Sequence, residues 1–302
     1  MASDAALVKS RPFWLTLSLN VVLFLVTLAI GIRSHSLTLV SNAFHLLSDL
    51  AALAISIAAT WLSNRPASNR HSFGLVRAEV LGAMTVTLLL IGASVLITYD
   101  ALRRIFSGSS AFISHSAGVD LGIAGGIGLG VTVISVVVFA RGDMRSALVK
   151  ANLVHYAADG IGWILAVVTG LLIARFHFSL ADPIASVVVS LLVIVGSARV
   201  LKEVADVLLD ASPSRVDIDQ IRRALMANSE VQDVHHLHVW NLSSTAIALS
   251  AHLVMVDGIT LHQAQDYSHS IKKSLEQDFS INHATLELEC HLCDSPTHML
   301  ES

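Results

Sequence analysis

Apolar residues gather into six runs, each long enough at about 20 residues to cross a bilayer. The runs cover roughly 13–32, 37–62, 80–99, 117–140, 148–174 and 183–201. The first, Phe13 to Ile32, contains no charged residue. It is too long for a signal peptide, and five more runs follow it. After about Ser212 the pattern changes: Asp217, Asp219, Arg222, Arg223, Lys272, Lys273 and Glu276 appear and the long apolar runs stop. Asp217 to Asn228 spaces Ile218, Ile221 and Leu225 as one face of a short helix, and Val231 to Leu242 is strand-like. Thr245 to Val256 alternates Ile247, Leu249, Ala251 and Leu253, the signature of a half-buried strand. Leu261 to Phe279 predicts a helix. Ala284 to Cys290 alternates Leu286 and Leu288 with Glu287 and Glu289, predicting a third strand. The expected fold is a six-transmembrane-helix bundle over 1–211, joined at Ala211-Ser212-Pro213 to a small cytoplasmic α+β domain over 212–302. The order α-β-β-α-β places that domain's helices on one face of a sheet.

Composition narrows the classes. Apolar residues make up 54% and Asp, Glu, Lys and Arg only 14%, with a mean hydropathy of +0.67. So little charge cannot cover a soluble surface, and so much apolar content excludes disorder. A net charge of −4 gives no electrostatic case for nucleic acid. Two cysteines, Cys290 and Cys293, make no disulfide framework. Basic residues flanking the runs favour a cytoplasmic N-terminus by ten to four, Arg103-Arg104 running against it. Six spans then return the C-terminal domain to the cytoplasm.

Two of the runs carry the same polar pair. His45 and Asp49 lie in the second, His155 and Asp159 in the fifth, each as H-x-x-x-D. Spacing of i,i+4 puts both side chains on one helix face. Counted from opposite surfaces at about 1.5 Å per residue, both pairs lie roughly 10–18 Å deep, near the midplane. Together they offer two imidazoles and two carboxylates, the four ligands that zinc prefers. An Asp at the bilayer centre costs about 2.5–3.5 kcal/mol on insertion scales, so two of them, each paired with a His at one depth, point to a metal site rather than to helix glue. Asn20 in the first run reads as an interhelical hydrogen bond. Gly122, Gly126 and Gly130 read as a close helix-packing face.

These residues also carry a resemblance. The stretch Ser36 to Asp49, then His71-Ser72-Phe73-Gly74 with Arg77-Ala78-Glu79, His155-Tyr156-Ala157-Ala158-Asp159, Val234 to Trp240 and Leu249-Ser250-Ala251-His252 resemble the cation diffusion facilitator family over nearly the whole chain. The resemblance implies a metal/proton antiporter, homodimeric, with six membrane helices and a ferredoxin-like cytoplasmic domain. His-Asp on both ligand helices resembles the zinc branch, with Cd²⁺ and Co²⁺ as further substrates. The short fourth-to-fifth loop, Arg141 to Ser146, resembles bacterial efflux members of the inner (plasma) membrane. In the tail, His235, His252 and Glu289 match metal-holding positions of related domains, with His283 a fourth, and Zn²⁺ is the ion implied there. Cys290-x-x-Cys293, with His291, resembles a terminal cysteine pair of some zinc transporters. His71 matches one ligand of a peripheral site whose other positions are here Ser68 and Leu75. Arg77 resembles a basic residue that pairs with an acid after the last span, here Asp210, at the dimer joint.

Two other classes compete. An intramembrane metalloenzyme needs a general base beside its metal, and neither H-E-x-x-H nor a Glu near the paired ligands is present. A membrane-anchored metal sensor would leave the intramembrane ligands without purpose.

Overall fold

The computed structural model describes the backbone of residues 2–33, 37–107, 115–176 and 181–291; some side chains within these ranges, those of 37–45 among them, lie outside the described residues. The chain divides into two compact units, Met1–Ala205 and Asp206–Ser302.

In the first unit each apolar run lies within a helix: α1 (Ala2–Arg33), α2 (Leu37–Ser63), α3 (Ala78–Ser107), α4 (His115–Ala140), α5 (Ala147–Phe176) and α6 (Ala181–Leu208). Polarity is inverted relative to a water-soluble bundle. On α1 the buried positions include Thr16, Asn20 and Thr27, while Trp14, Leu15, Val22 and Leu25 are exposed. That is the distribution a lipid solvent selects. Several buried hydroxyls and amides turn to their own helices, as lipid offers no partner. Ser56 Oγ donates to Ala52 O at 3.0 Å and Thr60 Oγ1 to Ser56 O at 2.8 Å. Asn20 does the same: its Nδ2 donates to Thr16 O at 2.9 Å on its own helix, and among the described residues that is the bond shown for it.

Two stretches among the described residues are long and apolar enough to cross a membrane, Arg11–Ala29 and Ala78–Ser107; Asp49–Ser63 and Gly126–Ala140 are shorter apolar stretches. Helices α2 and α3 approach closely at Gly82, where a Cβ would lie 2.3 Å from Ala59 Cβ. The predicted glycine face on α4 is out of phase. A Cβ on Gly126 or Gly130 would meet open space, whereas one on Gly128 would lie 2.8 Å from the Trp163 ring of α5. Small-residue spacing gives a period but not the side that a partner helix takes. Gly122 lies outside the described residues.

The second unit runs α7 (Ile218–Met226), β1 (Val231–Asn241), β2 (Ile247–Met255), α8 (Leu261–Phe279) and β3 (Ile281–Glu289). The sheet has the order β1-β2-β3, with β2 antiparallel to β1 and parallel to β3. Asp217 caps α7 by accepting from the backbone of Asp219 and Gln220. Thr260 and Gln263 form a capping box on α8. The strand β3 starts at Ile281, three residues before the predicted Ala284. Ser280 ends α8 in the left-handed region at φ 56, and buried Ile281 at once pairs with Ile247. One sheet face joins Ile247, Leu249, Ala251 and Leu253 to Ile221, Leu225, Ile271 and Leu275 of the helices. The intervening residues Ser250 and His252 of β2, and Glu287 and Glu289 of β3, belong to the opposite, open face.

Candidate metal sites

In the first unit α2 supplies Asp49, and one turn of α5 supplies His155 and Asp159. His155 Nε2 lies 3.2 Å from Asp49 Oδ1 and 3.7 Å from Asp159 Oδ2. Ligand atoms of the three all lie within 4.8 Å of one another. Asp49 and His155 are buried and Asp159 is partly so. Among the described residues His155 Nε2 has no partner in hydrogen-bond geometry, although two carboxylates converge on it. An imidazole nitrogen set among carboxylate oxygens suits a divalent cation or a proton. His45 stands on α2 one turn before Asp49, and its side chain lies outside the described residues.

Further buried polar groups continue from the cluster along α2, α3 and α5. Asn152, three residues before His155, donates from Nδ2 to Ser56 Oγ at 2.8 Å and to Leu148 O at 2.9 Å. At the start of α5 Ser146 does two jobs. Its Oγ accepts from Val149 N at 3.3 Å as an N-cap and donates to Glu79 Oε1 of α3. Glu79 is only 2% exposed. The sequence reading gave these residues no role. The signal was there, since Ser56 stands two turns from Asp49 and Asn152 just under one turn from His155. In the loop before α5, Asp143 holds the Arg145 guanidinium above its ordinary pKa, first by hydrogen bonding and then by charge.

In the tail, His235 of β1 is the register partner of His252 on β2. His252 Nδ1 lies 2.7 Å from Glu289 Oε1, and His235 Nε2 lies 3.2 Å from Glu289 Oε2. Glu287 approaches His252 Nε2 at 3.4 Å from the exposed side. His235, His252 and Glu289 thus form a second three-ligand cluster. It too fits a cation: the Glu289 side chain is 7% exposed, and among the described residues both its Oε2 and His235 Nδ1 are buried without a hydrogen-bond partner. His283 is not brought to this cluster. It pairs with Ala248 near the start of β3, six residues or about 20 Å along the strand from Glu289.

Cys290 is an exposed thiol 3.2 Å from His291 Nδ1. Cys293 lies outside the described residues. His71 is exposed in the loop before α3 and joins no ligand cluster among the described residues. Arg77 immediately precedes α3 in the first unit, and Asp210 follows α6 in the second, in the left-handed region at φ 54.

Comparison with known proteins covers both units. Residues 13–209 match the family described as the cation efflux transmembrane domain. Residues 213–291 match the one described as the cation efflux protein, cytoplasmic domain. The chain is 30% identical over 294 residues to the metal cation efflux system protein CzcD of Cupriavidus metallidurans, covering 96% of this chain and 90% of that one. It is 31% identical over 268 residues to the zinc transporter ZitB of Escherichia coli, covering 88% and 83%. It is also 31% identical over 261 residues to a cadmium, cobalt and zinc/H(+)-K(+) antiporter of Bacillus velezensis, covering 86% and 82%.

Proposed function

Because the chain belongs to the cation efflux family, we propose that it exports divalent metal cations from the cytoplasm in exchange for protons, with Zn²⁺ the main substrate and Cd²⁺ and Co²⁺ further ones. It is a transporter and not an enzyme. The observation that carries the reading is the convergence of Asp49 and Asp159 on His155 Nε2 inside an apolar helix bundle. His45, one helical turn from Asp49, is the proposed fourth ligand. Metal and proton compete for the same imidazole lone pairs, so a metal ion arrives only as protons leave. Borderline nitrogen with carboxylate oxygen favours Zn²⁺, Co²⁺ and Cd²⁺ over Mg²⁺ and Ca²⁺, which take oxygen shells.

The proposed architecture has six spans over 1–211. The helices α2, α4, α5 and α6 are 26 to 30 residues long, about 39–45 Å at 1.5 Å per residue against a hydrocarbon core of about 30 Å. Flanking basic residues support an inner (plasma) membrane protein with both termini cytoplasmic. The match of the tail to the family's cytoplasmic domain supports a dimer. In this reading residues 212–302 form the metal-binding and dimerisation domain, with Zn²⁺ at His235, His252 and Glu289. By resemblance to the family, Arg77 and Asp210 are proposed as residues of the dimer charge interlock. His283 and the pair Cys290 and Cys293 remain outside the proposed tail site.

Zinc uptake into proteoliposomes tests the assignment. Asp49→Ala and Asp159→Ala should each abolish uptake while leaving a monodisperse protein. Wild-type uptake by either variant would overturn it.

A further inference from the structure

Beside the tail cluster stands a third imidazole. In a regular strand, side chains alternate between faces. In β1 they do not. Val234 belongs to the core face, His235 to the open face, and Leu237 and Val239 to the core face again. Between Val234 and Leu237 the strand has one residue too many, and the pairing with β2 shifts between His235 and His238. The extra residue is His236, whose φ of 48 lies in the left-handed region. For a residue with a Cβ, that conformation is uncommon and costs energy. It turns the ring of His236 to the open face: ring centroids are 5.1 Å apart for His235–His236, 5.0 Å for His236–His252 and 5.2 Å for His235–His252.

Those separations have a chemical meaning. A zinc–nitrogen bond of about 2.0–2.1 Å puts the centroid of a bound imidazole about 3.2 Å from the metal, so rings at tetrahedral angles have centroids about 5.2 Å apart. The ring centroids of His235, His236 and His252 already have that spacing; the ligand atoms of His235, His252 and Glu289 converge within 4.8 Å, and the His236 nitrogen has to turn in to join them. Glu289 lies against His235 and His252.

We propose that His236 is the fourth ligand of the tail metal site, completing a closed set of three imidazoles and one carboxylate, and that the left-handed bulge serves to place it. The proposal rests on reading His235, His252 and Glu289 as a metal site. The bound ion is one that accepts a four-coordinate nitrogen-rich shell, Zn²⁺ or Co²⁺. A closed site of this kind holds its ion rather than passing it on. The tail ion is therefore a resident of the domain and not cargo.

The test uses the full-length protein in detergent. In the parent, the membrane site is removed by Asp49→Ala and Asp159→Ala, and the thiols by Cys290→Ser and Cys293→Ser. Glycine adopts positive φ freely, so His236→Gly removes the ring while preserving the bulge. His236→Asn, which also tolerates this conformation, is the second variant. Calorimetry with Zn²⁺ should show at least a tenfold weaker tail site in both variants. The visible absorption of bound Co²⁺, intense for four-coordinate cobalt, should shift as the nitrogen donor is lost and fall where more than one water enters the opened shell. No zinc binding to the parent would overturn the site and the proposal together. Binding to the parent that His236→Gly leaves within twofold, with an unchanged Co²⁺ spectrum, would overturn the proposal alone.

Discussion

Ser146→Ala removes one oxygen that ties α3 to α5. In the folded protein that oxygen donates to Glu79 and accepts from Val149 N at the helix start. A hydrogen bond to a charged group contributes about 1.5–3 kcal/mol, and leaving the carboxylate short of a donor adds desolvation cost because Glu79 is 2% exposed. Loss of an N-cap costs about 0.5–2 kcal/mol. The change should therefore destabilise the protein by about 2–5 kcal/mol. Reversible unfolding in mixed micelles would measure it. Glu79→Gln separates the two parts: in that background Ser146→Ala should cost less by about 1–2 kcal/mol, since only the cap and a neutral hydrogen bond remain to be lost. The membrane ligands stay in place, so zinc affinity should move less than tenfold. A destabilisation below about 0.5 kcal/mol, the scatter of unremarkable substitutions, or strict additivity with Glu79→Gln would refute this account of the clamp.

If His45 is the proposed fourth ligand, His45→Asp changes the set to one imidazole and three carboxylates, and competition uptake should shift from Zn²⁺ toward Cd²⁺; an unchanged ranking would mean that helix geometry sets selectivity. Gly128→Ala should destabilise the bundle by about 1–3 kcal/mol through collision with Trp163, whereas Gly126→Ala should be neutral or better, as read by unfolding of each variant. Zinc at a hundredfold excess over the tail Kd should stabilise the tail by about 2.7 kcal/mol. Differential scanning of the full-length protein should show that rise and its loss in His252→Ala, which should still transport.

Much of this was legible because it depends on local pattern. Hydropathy marks the helices α1 to α6, and period-two alternation marks β2. The repeated H-x-x-x-D picks out Asp49, His155 and Asp159 before any contact is known, since an i,i+4 pair of that cost needs a reason. What was not legible depends on the neighbour. Asn20 finds its acceptor one turn back on α1, and no pattern distinguishes that from a partner across the bundle. Gly126 and Gly130 have the right spacing on the wrong side of α4, while among the described glycines of that helix it is Gly128 that meets Trp163. Glu79 and Ser146 lie 67 residues apart, and nothing local joins them. The bulge at His236 falls between. Apolar Val234, Leu237 and Val239 are spaced three and then two apart, a break in phase that can be read once β1 is known to be a strand.

The central claim is that one buried cluster exchanges metal for protons. The most direct measurement loads proteoliposomes with an acidic interior and a pH-sensitive dye, then adds Zn²⁺ outside. Zinc should accumulate against its own gradient while the interior loses protons at a fixed ratio, and a protonophore should abolish the accumulation. Asp159→Ala vesicles should show neither flux. Zinc entry that leaves internal pH unchanged, or that continues undiminished with the protonophore, would contradict the account.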